Sequence, residues 1–214
     1  MSLLWVLRLS ILGVLFLYNI FYRFLLKHRE KYAKYLENLV LNLILVIFYN
    51  VVNYLAVILP SDTTVIPNSL ISMNFIVIFW HDLVGSIIII LSVFFLLLIL
   101  RKRKVLGAQD TGGKLYTSGS YGFCRHPIYF GITLISLGIA LTSNNLDGLI
   151  VIPIIGFLNI MTGKIEQKYD MEIRFKEEYF EYEKRVRIFG PIWFWIVILL
   201  AILFPVIIVF IGGI

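Results

Sequence analysis

The chain has 214 residues, 60% of them apolar and only 15% charged, with a net charge of +6 and a mean hydropathy of +0.91. Soluble domains are nearer ~45–50% apolar and ~25% charged, so composition excludes a soluble globular domain and points to a polytopic membrane protein. The single cysteine, Cys124, excludes an internal disulfide and any Cys-based zinc or iron–sulfur site.

Six apolar segments follow in chain order: roughly 3–26, 36–60, 81–101, 127–144, 147–165 and 191–211. About 18 or more apolar residues cross a ~30 Å hydrocarbon core, and in lipid such segments must be helices to satisfy their backbone groups. The expected fold is therefore all-α, a helical bundle of about six transmembrane spans. The first segment is not read as a signal peptide, because its apolar stretch is too long, Arg8 interrupts it, and no small-x-small cleavage site follows. Residues 70–82, LISMNFIVIFWHD, are ambiguous between a longer third span and a short interfacial helix. Trp80, His81 and Asp82 suit an interface belt and a helix start better than an intramembrane site.

The loops alternate in charge: basic KHREKYAKY (27–35), SDTTVIPNS (61–69) with one Asp, basic RKRK (101–104), SNNLD (143–147), then a long charged stretch from Lys164 to Arg187. Basic loops stay in the cytoplasm. The alternation thus places both termini outside and two polar regions, 105–126 and 164–190, on the cytoplasmic side. These flank the helical hairpin of the fourth and fifth spans, which brings them together in space. The net positive charge is a feature of topology, and no nucleic-acid partner is expected.

The histidines, His28, His81 and His126, form no His-Glu-x-x-His pattern, and no protein-bound metal is expected. In Gly107-Ala-Gln-Asp-Thr-Gly112-Gly113-Lys114-Leu115 the lysine falls one position late for a P-loop and Leu replaces Ser/Thr. No G-x-G-x-x-G follows a strand, so no Rossmann domain is present.

Within GSYGFCRHPIYFG (119–131), Arg125 and His126 precede Pro127, which suits the first position of the fourth helix. A helix N-terminus carries unpaired N–H groups and partial positive charge, and Arg adds a planar fork that fits a carboxylate. The stretch can hold an anionic group; equally, Arg125 can snorkel to lipid headgroups with His126 as a simple cap. Tyr116, Tyr121, Phe123 and Tyr129 surround the basic pair, and Tyr169, Tyr179 and Tyr182 occupy the second polar region. Tyr faces attract cations, and Tyr also decorates membrane interfaces. Glu and Lys/Arg at helical spacing in 166–189 extend the fifth span as a charged helix, and Gly190-Pro191 ends it.

Together, KLYTSGSYGFCRHPIYFG (114–131) and FKEEYFEYEKRV (175–186) resemble the isoprenylcysteine carboxyl methyltransferases and the wider membrane methyltransferase superfamily that includes phospholipid N-methyltransferases. The matching residues are Leu115, Gly119, Tyr121, Arg125, His126, Pro127, Tyr129, Phe175, Tyr179 and Tyr182. The chain departs from the family pattern at Gly113, where His is common, at Lys176, where Gly is usual, and at Lys164-Ile165-Glu166, where paired glutamates follow Arg. The resemblance implies S-adenosylmethionine bound at the cytoplasmic membrane face, and methyl transfer to a lipophilic acceptor: a prenylcysteine carboxylate, a phospholipid amine or a lipophilic thiol. It implies cofactor contacts from Lys114, Leu115, Tyr116, Gly119, Tyr121, Arg125, His126, Pro127, Tyr129, Glu166, Tyr179 and Tyr182. Glu166 is also expected in catalysis, and Arg185 is positioned to orient an anionic acceptor.

The organisation expected is N-terminal helices over 1–104 with the substrate entry, a catalytic and cofactor-binding region over 105–190, and a last span in 191–214. The protein is expected in the cell membrane or endoplasmic reticulum. No dedicated base is evident, which favours an anionic nucleophile over an amine, since an amine must first lose a proton. The alternatives are a sterol-reductase-like enzyme using NADPH and a non-catalytic transporter or scaffold. A transporter would show polar or broken helices near the midplane.

Overall fold

The structure is a computed structural model that describes residues 3–28, 30–32, 39–60, 75–103 and 114–212. The described residues are helical or irregular, with no strand among them. The helices are α1 (Leu3–Lys27), α2 (Leu39–Ile58), α3 (Phe75–Arg103), the single turn α4 (Ser120–Phe123), α5 (Pro127–Thr142), α6 (Leu146–Glu166), α7 (Glu172–Arg185) and α8 (Ile192–Gly212). A π-helical turn, Gln167–Met171, joins α6 to α7 without a break. Leu3–Lys27, Phe79–Arg101 and the continuous run Leu146–Arg185 are long and apolar enough to cross a membrane, while Ile44–Ile58, Pro127–Thr142 and Ile192–Phe204 are shorter apolar helices.

Each of the six expected apolar segments is thus one helix. Residues 75–82 form the start of α3, so this part of the ambiguous stretch joins the third helix rather than lying apart from it; 70–74 lie outside the described residues, as do the loops 61–69 and 105–113.

Small residues set the closest helix contact, between α3 and α5. A Cβ at Gly85 would stand 2.8 Å from the Gly138 carbonyl oxygen, and one at Gly131 2.7 Å from Leu96. Apolar attraction between helices is weak in lipid, so close approach of backbones at small residues takes over its role.

Two buried polar groupings tie the remaining helices. At one end Arg8 of α1 is fully buried. Its Nη1 donates to Asp147 at the start of α6 (3.2 Å), and its Nη2 donates to the carbonyls of Leu59 (2.5 Å) and Pro60 (3.0 Å) after α2. Asn145 caps α6 by accepting from Gly148 N–H, and donates to the carbonyls of Val57 and Leu59. The charge that interrupts the first apolar segment is therefore a clamp between three helices.

Mid-bundle, Thr162 of α6 donates to Asn19 of α1 (2.6 Å), Asn159 of α6 donates to Thr133 of α5 (2.7 Å), and Tyr49 of α2 joins Asn159 and Thr162. Helices α1, α2, α5 and α6 are thereby held in one register. Hydrogen bonds of this kind between membrane helices are each worth ~0.6–2 kcal/mol.

Candidate active site

The sequence around Arg125 folds by local necessity. Gly119 has φ 67 and ψ −127, a conformation open to glycine and strained for other residues. Its carbonyl accepts from Gly122 and Phe123 N–H to close the turn of α4. Cys124 is extended and ends that turn. The chain then runs alongside the segment that follows α7: Arg125 N–H donates to Arg187 O (3.0 Å) and His126 N–H to Ile188 O (3.3 Å). Pro127 occupies the start of α5, and His126 is its N-cap residue. Gly190, at φ 77, turns the chain into α8 directly beneath Phe123, where a Cβ would meet the ring at 3.1 Å. Both polar regions of the sequence are thus fastened together by backbone hydrogen bonds.

Between them lies an open pocket of about 380 Å³, lined by Lys114, Leu115, Tyr116 and Tyr121, by Arg125 and His126, and by Met171, Phe175, Tyr179 and Tyr182. Tyr182 donates to the Tyr121 carbonyl at 2.6 Å, which fixes one wall to the other. Arg125 Nη1 pairs with Glu183 and donates to Gln167 Oε1 (3.2 Å). Gln167 in turn donates to Glu183 (2.8 Å) and Glu172 (3.1 Å). Burial pushes the Glu183 carboxyl up, yet the hydrogen bonds and charge of Arg125, with Gln167, hold it below the usual carboxylate range. Burial pushes the Tyr179 hydroxyl up to about 12.

Among the described residues, three polar atoms of the lining are buried with no hydrogen-bond partner within normal distance, Arg125 Nε, His126 Nε2 and the Tyr179 hydroxyl, the last lying close enough to Arg125 to feel its charge. Buried polar groups are ordinarily satisfied, so three around one cavity mark a surface suited to a polar ligand.

Behind His126, Glu166 is enclosed by hydroxyls. It accepts from Tyr22 of α1 (2.8 Å) and Tyr129 of α5 (2.6 Å), and its Oε2 stands 3.7 Å from His126 Nδ1. The His126 side chain does not cap α5. It turns toward Glu166 over Gly163, where a Cβ would lie 2.8 Å from His126 Cγ.

Of the residues singled out in the sequence, Lys114, Leu115, Tyr116, Tyr121, Arg125, His126, Tyr179 and Tyr182 share the pocket lining. Gly119, Pro127, Tyr129 and Glu166 stand outside it, shaping the loop, the helix start and the support of His126. Arg185 is exposed, and its Nε donates to the Glu181 carbonyl of its own helix. Met171, and Phe175 as a lining residue, escaped the sequence reading. The signal was present, since 171, 175, 179 and 182 follow helical i, i+4, i+8, i+11 spacing, an aromatic-rich stripe on an otherwise charged helix.

One comparison with known families gives a match. Residues 80–177 match the family model for phospholipid methyltransferases. That stretch runs from α3 through the Arg-His-Pro segment and Glu166 into α7. The family implies a methyltransferase, and with the apolar helices it points to an integral membrane protein. No curated protein and no solved structure matches the chain.

Proposed function

We propose that this membrane methyltransferase transfers the methyl group of S-adenosylmethionine to a lipophilic acceptor drawn from the bilayer. The observation that carries the reading is the aromatic pocket with three buried, unpartnered polar atoms, Arg125 Nε, His126 Nε2 and Tyr179 Oη. When bound, S-adenosylmethionine supplies an electrophilic methyl on a sulfonium sulfur.

Arg125, steadied by Glu183 and Gln167, offers its free edge to the amino-acid carboxylate together with Lys114. The faces of Tyr179, Tyr182, Tyr121 and Phe175 suit the sulfonium cation and the adenine ring. Gly119, Pro127 and Tyr129 build the wall from which these groups project. The protein's share of the rate is positioning and exclusion of water, which can supply several kcal/mol.

The division proposed is acceptor entry through the helices of 1–104 and cofactor binding in 105–190, closed by the last span. The cytoplasmic face is assigned to the site because the ends of α1 and α3 that carry Lys27 and Arg101 pack beside it. Exposed Arg185 is placed to meet an anionic group of an acceptor at the membrane surface.

The test is methyl transfer from labelled S-adenosylmethionine into the lipid fraction by purified protein in vesicles. Incorporation that depends on the protein is expected. Binding of NADPH in place of S-adenosylmethionine would favour a reductase.

A further inference from the structure

A second polar cluster stands where the basic end of α1 meets the π-turn, outside the pocket lining. We propose that Arg23, Lys27, Lys168 and Tyr169 form a binding site for the phosphate of an anionic phospholipid. This lipid is held rather than methylated, so the site does not depend on the methyl-transfer reading.

The cluster joins two elements far apart in the chain. Arg23 Nε donates to the Tyr169 hydroxyl at 3.3 Å, and its guanidinium carbon lies 5.9 Å from the ring centre. Lys168 Nζ lies 5.7 Å from the same ring centre. The hydrogen bond from Arg23 holds the Tyr169 hydroxyl below its ordinary range, and the charges of Arg23, Lys168 and Lys27 act in the same direction. Three cations thus converge on one hydroxyl. Because that hydroxyl accepts from Arg23, it keeps its own proton to donate, and the guanidinium keeps Nη1 and Nη2 for a planar grip on phosphate oxygens. Among the described residues no carboxylate pairs with Arg23, Lys27 or Lys168. The acids of the same stretch are engaged elsewhere, Asp170 with Arg174 and Glu166 with Tyr22 and Tyr129. Cations that only snorkel into the headgroup layer need no shared hydroxyl.

The scaffold beneath the cluster is built before any ligand arrives. Tyr22, Leu25 and Leu26 of α1 are buried against Ile165 and Tyr169, and Tyr22 donates to Glu166 at the start of the turn. A site whose halves are already fixed loses less freedom on binding. Helix α1 also identifies the ligand as a lipid. Phe16, Ile20, Arg23 and Lys27 follow i, i+4, i+7, i+11 spacing and share one helix face. Phe16 and Ile20 are 47% and 51% exposed. An apolar track therefore runs into the cation pair, as an acyl chain runs into a charged headgroup. A soluble phosphate compound would make no use of that track. Cations at the cytoplasmic end of membrane helices each contribute about fivefold to the binding of anionic headgroups.

The experiment titrates the detergent-solubilised full chain with phosphatidylglycerol, phosphatidylcholine and glycerol phosphate, counting bound molecules by native mass spectrometry. One saturable phosphatidylglycerol is expected. Phosphatidylcholine, whose quaternary ammonium opposes the cations, should bind at least ~tenfold more weakly. Arg23→Gln and Lys168→Gln should each weaken phosphatidylglycerol binding about fivefold. Tyr169→Phe keeps every charge, and should weaken it about tenfold through the lost hydrogen bond to phosphate. Arg101→Gln removes an exposed cation of α3 and should leave this binding unchanged. Melting curves of each variant check that the fold is retained. Parental affinity in Tyr169→Phe overturns the proposal, because simple snorkelling would then suffice. An equal loss in Arg101→Gln and Arg23→Gln also overturns it, since binding would follow the general field of the surface. Glycerol phosphate binding as tightly as the lipid overturns the assignment to a membrane ligand.

Discussion

Two arginines in this protein are paired with carboxylates, and their surroundings give them opposite meanings. Arg8 is fully buried, with Nη1 on Asp147 and Nη2 on two carbonyls, at a junction where three helices close on one another. Arg125 is also paired, with Glu183 and Gln167, but it stands at an open pocket beside two further unpartnered polar atoms. The first is a clamp, and we propose the second as a receptor. An ion pair alone does not separate the two, and neither does an unpartnered Nε, which both arginines have; the open volume beside Arg125 does.

The sharpest way to break this comparison is Arg8→Met. Removing one partner of a buried ion pair costs ~3–5 kcal/mol. The expected result is a strongly lowered melting temperature, with S-adenosylmethionine affinity of the remaining folded protein unchanged. A variant that melts normally but binds poorly would reverse the roles of the two arginines.

Arg125→Lys should do the converse. Lys keeps the charge but loses the planar fork, and one lost charge-assisted hydrogen bond costs ~1.5–3 kcal/mol, roughly ten- to a hundredfold in cofactor affinity. Its melting curve without ligand should stay within a few degrees of the parent. If the Arg125→Lys variant binds as tightly as the parent, Arg125 serves the membrane surface only.

Gly163→Ala sharpens the account from the side of His126. The added methyl overlaps the imidazole, and overpacking of this kind costs ~1–3 kcal/mol. Weaker cofactor binding and slower turnover are expected, measured by calorimetry and initial rates on the same preparation.

The smallest effect concerns Lys176, which has φ 46 and ψ −122 inside α7. Strain of this kind costs ~1–3 kcal/mol, and glycine's extra chain entropy takes back ~0.5–1 kcal/mol. Lys176→Gly should therefore raise stability by up to about 2.5 kcal/mol, read from thermal melts. The family pattern places glycine at this position, and the backbone explains why.

The helices were legible because hydrocarbon enforces long apolar runs: the segment read as 127–144 is Pro127–Thr142, and that read as 147–165 is Leu146–Glu166. The start of α3 was not, since Trp80, His81 and Asp82 serve a helix interior and an interface equally well by type. His81 is in fact 3% exposed. The π-turn at Gln167–Met171 and the bend at Lys176 have no compositional mark. Residue types at fixed spacing singled out Arg125, His126, Tyr179 and Tyr182, and the structure brings these four to one pocket. The link between His126 and Glu166 depends on the angle between α5 and α6, which no local pattern encodes.

The most direct test of the central claim is calorimetric titration of the detergent-solubilised protein with S-adenosylmethionine, alongside a thermal melt. Saturable binding is predicted, with about 2.7 kcal/mol of added stability at a hundredfold excess over the Kd, and with the loss in Arg125→Lys described above. A flat titration with S-adenosylmethionine, accompanied by saturable binding of NADPH, would contradict it.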